Sequence, residues 1–303
     1  MWHIRLTTTL ATVSQTSPAA RPDVLASYRA SGEAAATRAH ATPHENGASA
    51  AAFFDVDNTI MRGSSLYHLA VGLAKRKYFT GREIANFARK QLKFVLSGSE
   101  DLEDMASVTE SALSFIEGKT VAELTALGEE IFDEIMVDKL IPGTLAIAQG
   151  HLDAGDQVWL VTATPMEVAG LIARKLGFTG GIGTVAEVRN GRYTGRLEAT
   201  PMHGIAKAEA IKKLAAVEGL NLDTCSAYSD SANDIPMLTA VGTPVAVNPD
   251  SELRDHAKAN GWRIEDFRRR AQVKQYAFPA AAAAGGIALG MAAGYAVARA
   301  RRA

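Results

Sequence analysis

The chain has 303 residues, enough for about two domains and a sizeable core. Apolar residues make up 47% and charged residues 21%, and 32 Lys and Arg against 33 Asp and Glu give a formal charge of −1. This balance excludes a general nucleic-acid binder, which needs a basic surface to neutralise phosphates. The single cysteine, Cys225, excludes an internal disulfide and a multi-cysteine metal site, and sets a reducing, cytoplasmic location for the folded part as the default.

Residues 1–50 are rich in Ala, Thr, Ser and Arg and carry Pro18, Pro22 and Pro43 with almost no apolar periodicity. Such a segment buries too little surface to offset its ordering entropy and reads as a disordered tail. A targeting peptide is the sharper alternative, but Leu6–Ala20 holds too many Thr, Ser and Gln residues for a signal-peptide core.

From Ala51 the pattern alternates. AAFFDV over 51–56 is a short apolar run closing on acids, as in a buried parallel strand. Proline-free stretches with a 3.6-residue period follow around 65–77, 82–96, 101–116 and 120–137, predicting a helical insert after that first strand. Pro142 opens the next helix, QVWLV over 157–161 is a second buried strand, and Pro165 starts the helix after it. Asn190-Gly191 is a hairpin turn between two short strands within 184–198. A helix around 205–217, a strand over 225–228, a helix from Asn233 and a strand over 243–247 complete the pattern. Gly180-Gly181-Ile182-Gly183 lacks the context of a nucleotide-binding motif and is expected to be a loop. Alternating strands and helices imply an α/β fold with a mostly parallel sheet covered on both faces.

The last region is of another kind. Residues 251–275 read as a basic helical linker, and 277–298 run 22 residues without a charge between arginine-rich flanks. As a helix this stretch would be about 33 Å long, sufficient to span a bilayer core. Gly286, Gly290 and Gly294 form overlapping GxxxG spacings that permit helix pairing and a homodimer. Residues 276–298 are therefore expected to cross a membrane or to dock on the protein, anchoring a cytoplasmic domain in the first case.

The chemistry concentrates at the strand ends. Asp55 and Asp57 close the first strand in DVDNT, and strand alternation would put both carboxylates on one side. Their repulsion calls for a cation, and Mg²⁺ is the hard divalent ion that fits oxygen ligands best. A solvated acidic turn is the plainer alternative. Thr162 ends the second strand, Lys207 lies early in a helix, and Asp230 and Asp234 follow the third strand. Taken singly these are a helix cap, a solvated lysine and ordinary capping acids; in this order at successive strand ends they point to a phosphate site. The scattered histidines form no metal pattern, and Ser64 has no recognisable base near it.

The ordered set DVDNT, Thr162 after WLV, GIAK over 204–207 and SDSANDIPML over 229–238 resembles the haloacid dehalogenase superfamily of aspartyl phosphotransferases, over about 51–250. The insert, at about 62–140, is similar to the helical cap of the branch that includes phosphoserine phosphatase. The resemblance implies a Rossmann-like core and a phosphomonoester hydrolase acting on a small molecule. It implies Asp55 as nucleophile and Asp57 as general acid and base. Mg²⁺ would be held by Asp55, the Asp57 carbonyl and Asp230. Phosphate oxygens would meet Thr162 and Lys207, with Asn233 close by, and Asp234 would order the metal's waters or orient Lys207. Where phosphoserine phosphatases carry a glutamate for the substrate amine, this chain reads Ile60-Met61-Arg62-Gly63-Ser64-Ser65, and no cap arginine matches the one that holds the serine carboxylate. The resemblance therefore does not extend to phosphoserine as substrate. Arg62 is either a contact for an anionic substrate or a solvated side chain. Two rivals stand beside hydrolysis: a regulatory protein that keeps the phosphate site with little turnover, and transfer of the phosphoryl group to an acceptor other than water.

Overall fold

The computed structural model describes residues 50–78 and 116–268. The tail over 1–49, the helices expected over 82–96 and most of 101–116, and the segment 276–298 lie outside the described residues. Among the described residues no helix is long and apolar enough to cross a membrane.

Six strands form one sheet in the order β3-β2-β1-β6-β7-β8, every neighbouring pair parallel. They are β1 (Ala51–Phe54), β2 (Gln157–Pro165), β3 (Gly180–Thr184), β6 (Ser226–Ser229), β7 (Thr243–Val247) and β8 (Arg263–Glu265). A separate antiparallel hairpin joins β4 (Ala186–Arg189) to β5 (Arg192–Leu197), turning at Asn190 and Gly191, both with positive φ. The strand order reverses direction at β1, which leaves a crevice beyond the carboxyl ends of β1 and β6.

Both faces of β1 are buried, as a parallel sheet covered by helices requires. Phe54 stacks on Tyr228 with ring centroids 4.3 Å apart, in a core shared with the helical insert. Phe53 points the other way, into a core with Trp159 and with Ala210 and Ile211 of α5 (Ile205–Glu218). The insert leaves the sheet after β1 through α1 (Ser65–Lys75) and returns through α2 (Val121–Ile131), a π turn over Phe132–Met136 and a 3₁₀ turn over Val137–Lys139. The regular helix expected over 120–137 thus ends early. The two connecting segments run side by side, Arg62 N–H donating to Lys139 O and Ile141 N–H to Ile60 O, both at 2.8 Å. From there α3 (Pro142–Asp153) leads into β2, and α4 (Met166–Leu176) follows it.

Two expectations are corrected. Gly180–Gly183 is not a loop but most of β3, buried throughout. Its glycines are needed for close approach: a Cβ on Gly180 would lie 2.4 Å from the Trp159 ring, and one on Gly181 would lie 2.6 Å from the Ala169 backbone. The residues that let α4 sit directly on the sheet are those that read as a loop. The stretch from 251 is not a continuous helical linker either: α6 (Ser251–Ala259), capped by the Asp250 carboxylate, gives way to β8, which extends the sheet.

Candidate active site

Strand register brings the candidate residues to one end. Phe54 pairs with Leu160 on one side and Tyr228 on the other, so Thr162 and Asp230, each two residues further on, stand at the height where β1 ends. The Asp55 N–H still donates to Tyr228 O at 2.9 Å, continuing the ladder. Asp55 therefore keeps the side of the sheet taken by Phe53, the side that α5 covers. There the Lys207 ammonium donates to Asp55 Oδ1 at 2.6 Å and to Asp234 Oδ2 at 2.7 Å. Asp234 Oδ2 also accepts the Ser229 hydroxyl at 2.7 Å. Lys207, Asp55 and Asp234 are 4%, 6% and 3% exposed, so this is a buried cluster. Gly204, with φ of 53°, starts α5 close against the Asn233 carbonyl and sets Lys207 in its first turn.

Charge in the cluster is unbalanced. Burial pushes the Asp55 carboxyl up to about 7 even against the pull of Lys207, with Asp234 and Asp57 adding repulsion. Burial opposes the Lys207 charge, but Asp234 and Asp55 outweigh it and hold the ammonium strongly protonated. Asp230 is pushed up to about 6 by burial and then by the Asp234 charge, with Asp250 adding to the repulsion. His203, just ahead of α5, is pushed down by burial and by Lys207.

Asp57 has a different environment. The Ile60 and Met61 N–H groups both turn back onto Val56 O, at 2.9 and 3.0 Å, and Asn58 takes a left-handed φ of 58°. The strand is thereby broken, and Asp57 does not share the Lys207 cluster with Asp55 as regular alternation would have it. Its Oδ1 instead accepts the Ser65 N–H at 2.8 Å and the Ser65 hydroxyl at 2.6 Å. Ser64 caps α1, so Ser65 stands in the first turn, where amides have no partner within the helix and are available to an anion. The Ser65 hydroxyl lies 2.6 Å from Thr164 Oγ1, and the Thr162 hydroxyl donates to Thr164 Oγ1 at 3.2 Å. A buried row of three hydroxyls thus joins the end of β2 to Asp57.

Asn233 is exposed on a 3₁₀ turn over Ala232–Asp234, outside the buried Lys207 cluster. Arg62 is exposed and donates to the Asp138 carbonyl at 3.1 Å, which ties the two segments leading to the insert. Sequence reasoning did not single out Ser65, Thr164, Ser229 or His203. Ser64-Ser65 ahead of an apolar helix is a capping signal, but nothing local shows which carboxylate it serves.

The donor set suits a hard divalent cation. Asp55 and Asp230 are carboxylates raised by burial and by the charge of Asp234, and among the described residues Lys207 is the ammonium hydrogen-bonded to Asp55 and Asp234. Among the described residues no three His, Cys, Asp or Glu side chains converge as a closed metal cage. Two carboxylates, a main-chain carbonyl and water are the kind of set that Mg²⁺, which keeps several waters, accepts.

Residues 52–239 match the family model described as haloacid dehalogenase-like hydrolase. Over 236 residues, 78% of this chain and 77% of the relative, the chain is 56% identical to a Mycobacterium tuberculosis protein named Phosphoserine phosphatase SerB1. A solved structure from Bordetella pertussis Tohama I, of unknown function, is 33% identical with a TM-score of 0.65, covering 73% of this chain and 99% of that one. An apo-form phosphoserine phosphatase at 19% identity shares the fold with a TM-score of 0.50, covering 75% of this chain and 98% of that one. The chain belongs to the haloacid dehalogenase-like hydrolases and is a phosphatase of that family.

Proposed function

We propose that the chain hydrolyses the phosphomonoester of a small alcohol, with Mg²⁺, through a phosphoryl group carried on Asp55. The observation that carries this reading is the Lys207 ammonium buried between Asp55 and Asp234, with Asp57 held apart in its own hydrogen-bonded setting. Two carboxylates in unlike environments are what a nucleophile and a proton carrier require.

In this reading Lys207 orients Asp55 and holds a transferring phosphoryl oxygen, with the Thr162 hydroxyl near the end of β2 as a further donor. An Asp55 carboxylate oxygen attacks phosphorus as the ester oxygen leaves, and Asp57 gives that oxygen its proton. Asp57 then takes a proton from the water that attacks the phosphorylated Asp55, releasing inorganic phosphate and restoring both acids. Asp234 keeps Lys207 in place. Mg²⁺ would be held by Asp55, the Asp57 carbonyl and Asp230 and would supply charge neutralisation for the phosphoryl group. A phosphate-contacting role for Asn233 requires its exposed side chain to turn inward on binding.

Steady-state hydrolysis of a phosphomonoester panel, with Mg²⁺ and with chelator, is the test. Activity that requires Mg²⁺ and falls at least about a thousandfold in Asp55→Asn supports the reading. Equal rates in Asp55→Asn overturn it. Anchoring through 276–298 is a separate proposal, tested by carbonate-resistant membrane association that a deletion of 276–303 abolishes; extraction of the full chain by carbonate overturns it.

A further inference from the structure

β7 ends at Val247 and runs into the turn Asn248-Pro249-Asp250 ahead of α6. Asn248 is 4% exposed and takes a left-handed φ of 48°. Its N–H donates to Glu265 O of β8 at 2.7 Å, which ties the turn to the edge of the sheet. Its side-chain amide joins two segments that lie far apart in the chain. Nδ2 donates to Asn58 O at 3.4 Å, and Oδ1 accepts the Phe267 N–H at 2.8 Å. A carbonyl only accepts and an N–H only donates, so the amide fits this place in a single orientation. Phe267 is itself seated, its ring lying against Gly143 in the first turn of α3 where a Cβ would collide with it. The Arg268 guanidinium adds a bond to Pro249 O at 2.9 Å.

The other end of the turn holds a second loop. The Asp250 N–H donates to Asp230 O at 2.8 Å, and Asp250 Oδ2 accepts the Ala232 N–H at 2.9 Å. Asp250 Oδ1 accepts the Leu253 N–H at 2.7 Å and so caps α6. One three-residue turn thus grips the loop that follows Asp57 and the loop that starts at Asp230. Asn58, Asp230, Asn248 and Asp250 line one cleft. A turn position at positive φ is served by glycine, and a helix cap needs one oxygen. Neither duty accounts for the bonds to Asn58 and Ala232.

We infer that the Asn248-Pro249-Asp250 turn is a clamp that sets the spacing of the Asp57 and Asp230 loops and thereby favours Mg²⁺ over Ca²⁺. The inference rests on the phosphomonoester reading, in which the Asp57 carbonyl and the Asp230 carboxylate hold the cation. Mg²⁺ demands near-octahedral oxygens at about 2.0–2.1 Å, whereas Ca²⁺ accepts about 2.3–2.6 Å and irregular geometry. Ligands on two loops tied to one rigid turn meet the stricter demand. Ligands on loosened loops meet only the other. Asn248 and Asp250 act on the cation through those loops and are positioning residues. The Asp250 charge attracts either ion, so the ratio of the two affinities reports the spacing and a single affinity does not.

The test is calorimetric titration of Mg²⁺ and, separately, of Ca²⁺ into the metal-free full chain. Asn248→Gly keeps the left-handed backbone and removes the amide. Asp250→Ser keeps the cap on α6, since serine caps as well as aspartate does, and loses the bond to Ala232. Each is expected to weaken Mg²⁺ about tenfold, the low end for residues that orient ligands, and Ca²⁺ by less than about threefold. Equal weakening of both ions in folded variants, which lost charge or a general loosening would give, overturns the inference. Unchanged affinities overturn it as well. The wild-type ratio decides the matter if neither variant folds: preference for Mg²⁺ supports the clamp, and parity or preference for Ca²⁺ overturns it. Hydrolysis that requires Mg²⁺ leaves the phosphomonoester reading intact under each of these results. A wild type that binds no Mg²⁺ overturns that reading and this one with it.

Discussion

Ser65 places two hydrogen bonds on a single oxygen of Asp57, one from its backbone N–H at 2.8 Å and one from its hydroxyl at 2.6 Å. The arrangement fixes one side of the carboxyl group and leaves Oδ2 as the oxygen available to carry a proton. Ser65 is therefore a positioning residue. Ser65→Ala is expected to lower kcat about tenfold with little change in KM, a fraction of the full contribution of general acid–base catalysis. Ser65→Thr, which keeps the hydroxyl, is expected to recover most of that loss. Equal losses in both variants, measured by steady-state kinetics, would show that packing at this position matters and the hydroxyl does not.

Lys207 is ion-paired with two buried carboxylates at once, and removing it leaves Asp55 and Asp234 without their cation. Lys207→Met is expected to cost about 3–5 kcal/mol of stability in metal-free protein, the usual penalty for breaking a buried ion pair from one side. Denaturant unfolding with and without Mg²⁺ checks this, and a loss below about 1 kcal/mol would contradict it.

The pH dependence of stability follows from the same cluster. Asp55, faced by Lys207, Asp234 and Asp57, has its folded-state value raised to about 7, and Asp230, faced by Asp234, Lys207 and Asp250, is raised to about 6. Unfolded carboxylates titrate near ~4. The folded protein thus holds these protons more tightly than the unfolded chain, and the stability they contribute is fully present below about pH 4 and lost as pH rises through 6 to 7. Metal-free protein is expected to show a contribution to Tm from these groups that declines from pH 5 to pH 8. Added Mg²⁺ is expected to raise Tm more at pH 8 than at pH 5, because protons compete with the cation for the same oxygens. Thermal scans in a buffer series test the sign, and a larger Mg²⁺ effect at pH 5 would contradict it.

Much of this architecture is legible in the sequence. The runs AAFFDV, QVWLV, CSAY and TPVAV announce β1, β2, β6 and β7 to within two residues at an end, apart from the longer carboxyl end of β2, because buried parallel strands read as short apolar blocks. The acids and Thr162 that follow those blocks fall where the site forms. β3 is not legible, because the glycines that admit Trp159 and α4 carry the same signal as a turn. Nor are Ser65 and Thr164, which meet at 2.6 Å from positions 99 residues apart and have ordinary local readings as a helix start and a strand residue. That Asp57 is hydrogen-bonded to Ser65 while Asp55 is held by Lys207 is not legible for a similar reason. The ladder runs on to Asp55, and the backbone then turns onto Val56 O, leaving Asp57 hydrogen-bonded to Ser65 of α1.

The glycine reading of β3 has its own consequence. Gly181→Ala places a methyl group 2.6 Å from the Ala169 carbonyl, and backbone cannot yield there as a flexible side chain would. A loss of about 1–3 kcal/mol is expected, the range for overpacking a tight core. Gly155→Ala makes a control for space, since nothing lies within 4 Å of its added Cβ, although its φ of 85° carries a strain of its own. A neutral Gly181→Ala in denaturant unfolding would contradict the close strand–helix contact.

The central claim is that Asp55 carries the phosphoryl group. The most direct measurement is rapid acid quench of the enzyme with a phosphorus-labelled substrate and Mg²⁺, followed by peptide mapping. The account predicts hydroxylamine-sensitive label on the peptide containing Asp55, absent from Asp55→Asn. Active enzyme that turns over the substrate with no label on that peptide at any quench time, or with label that persists in Asp55→Asn, would contradict it.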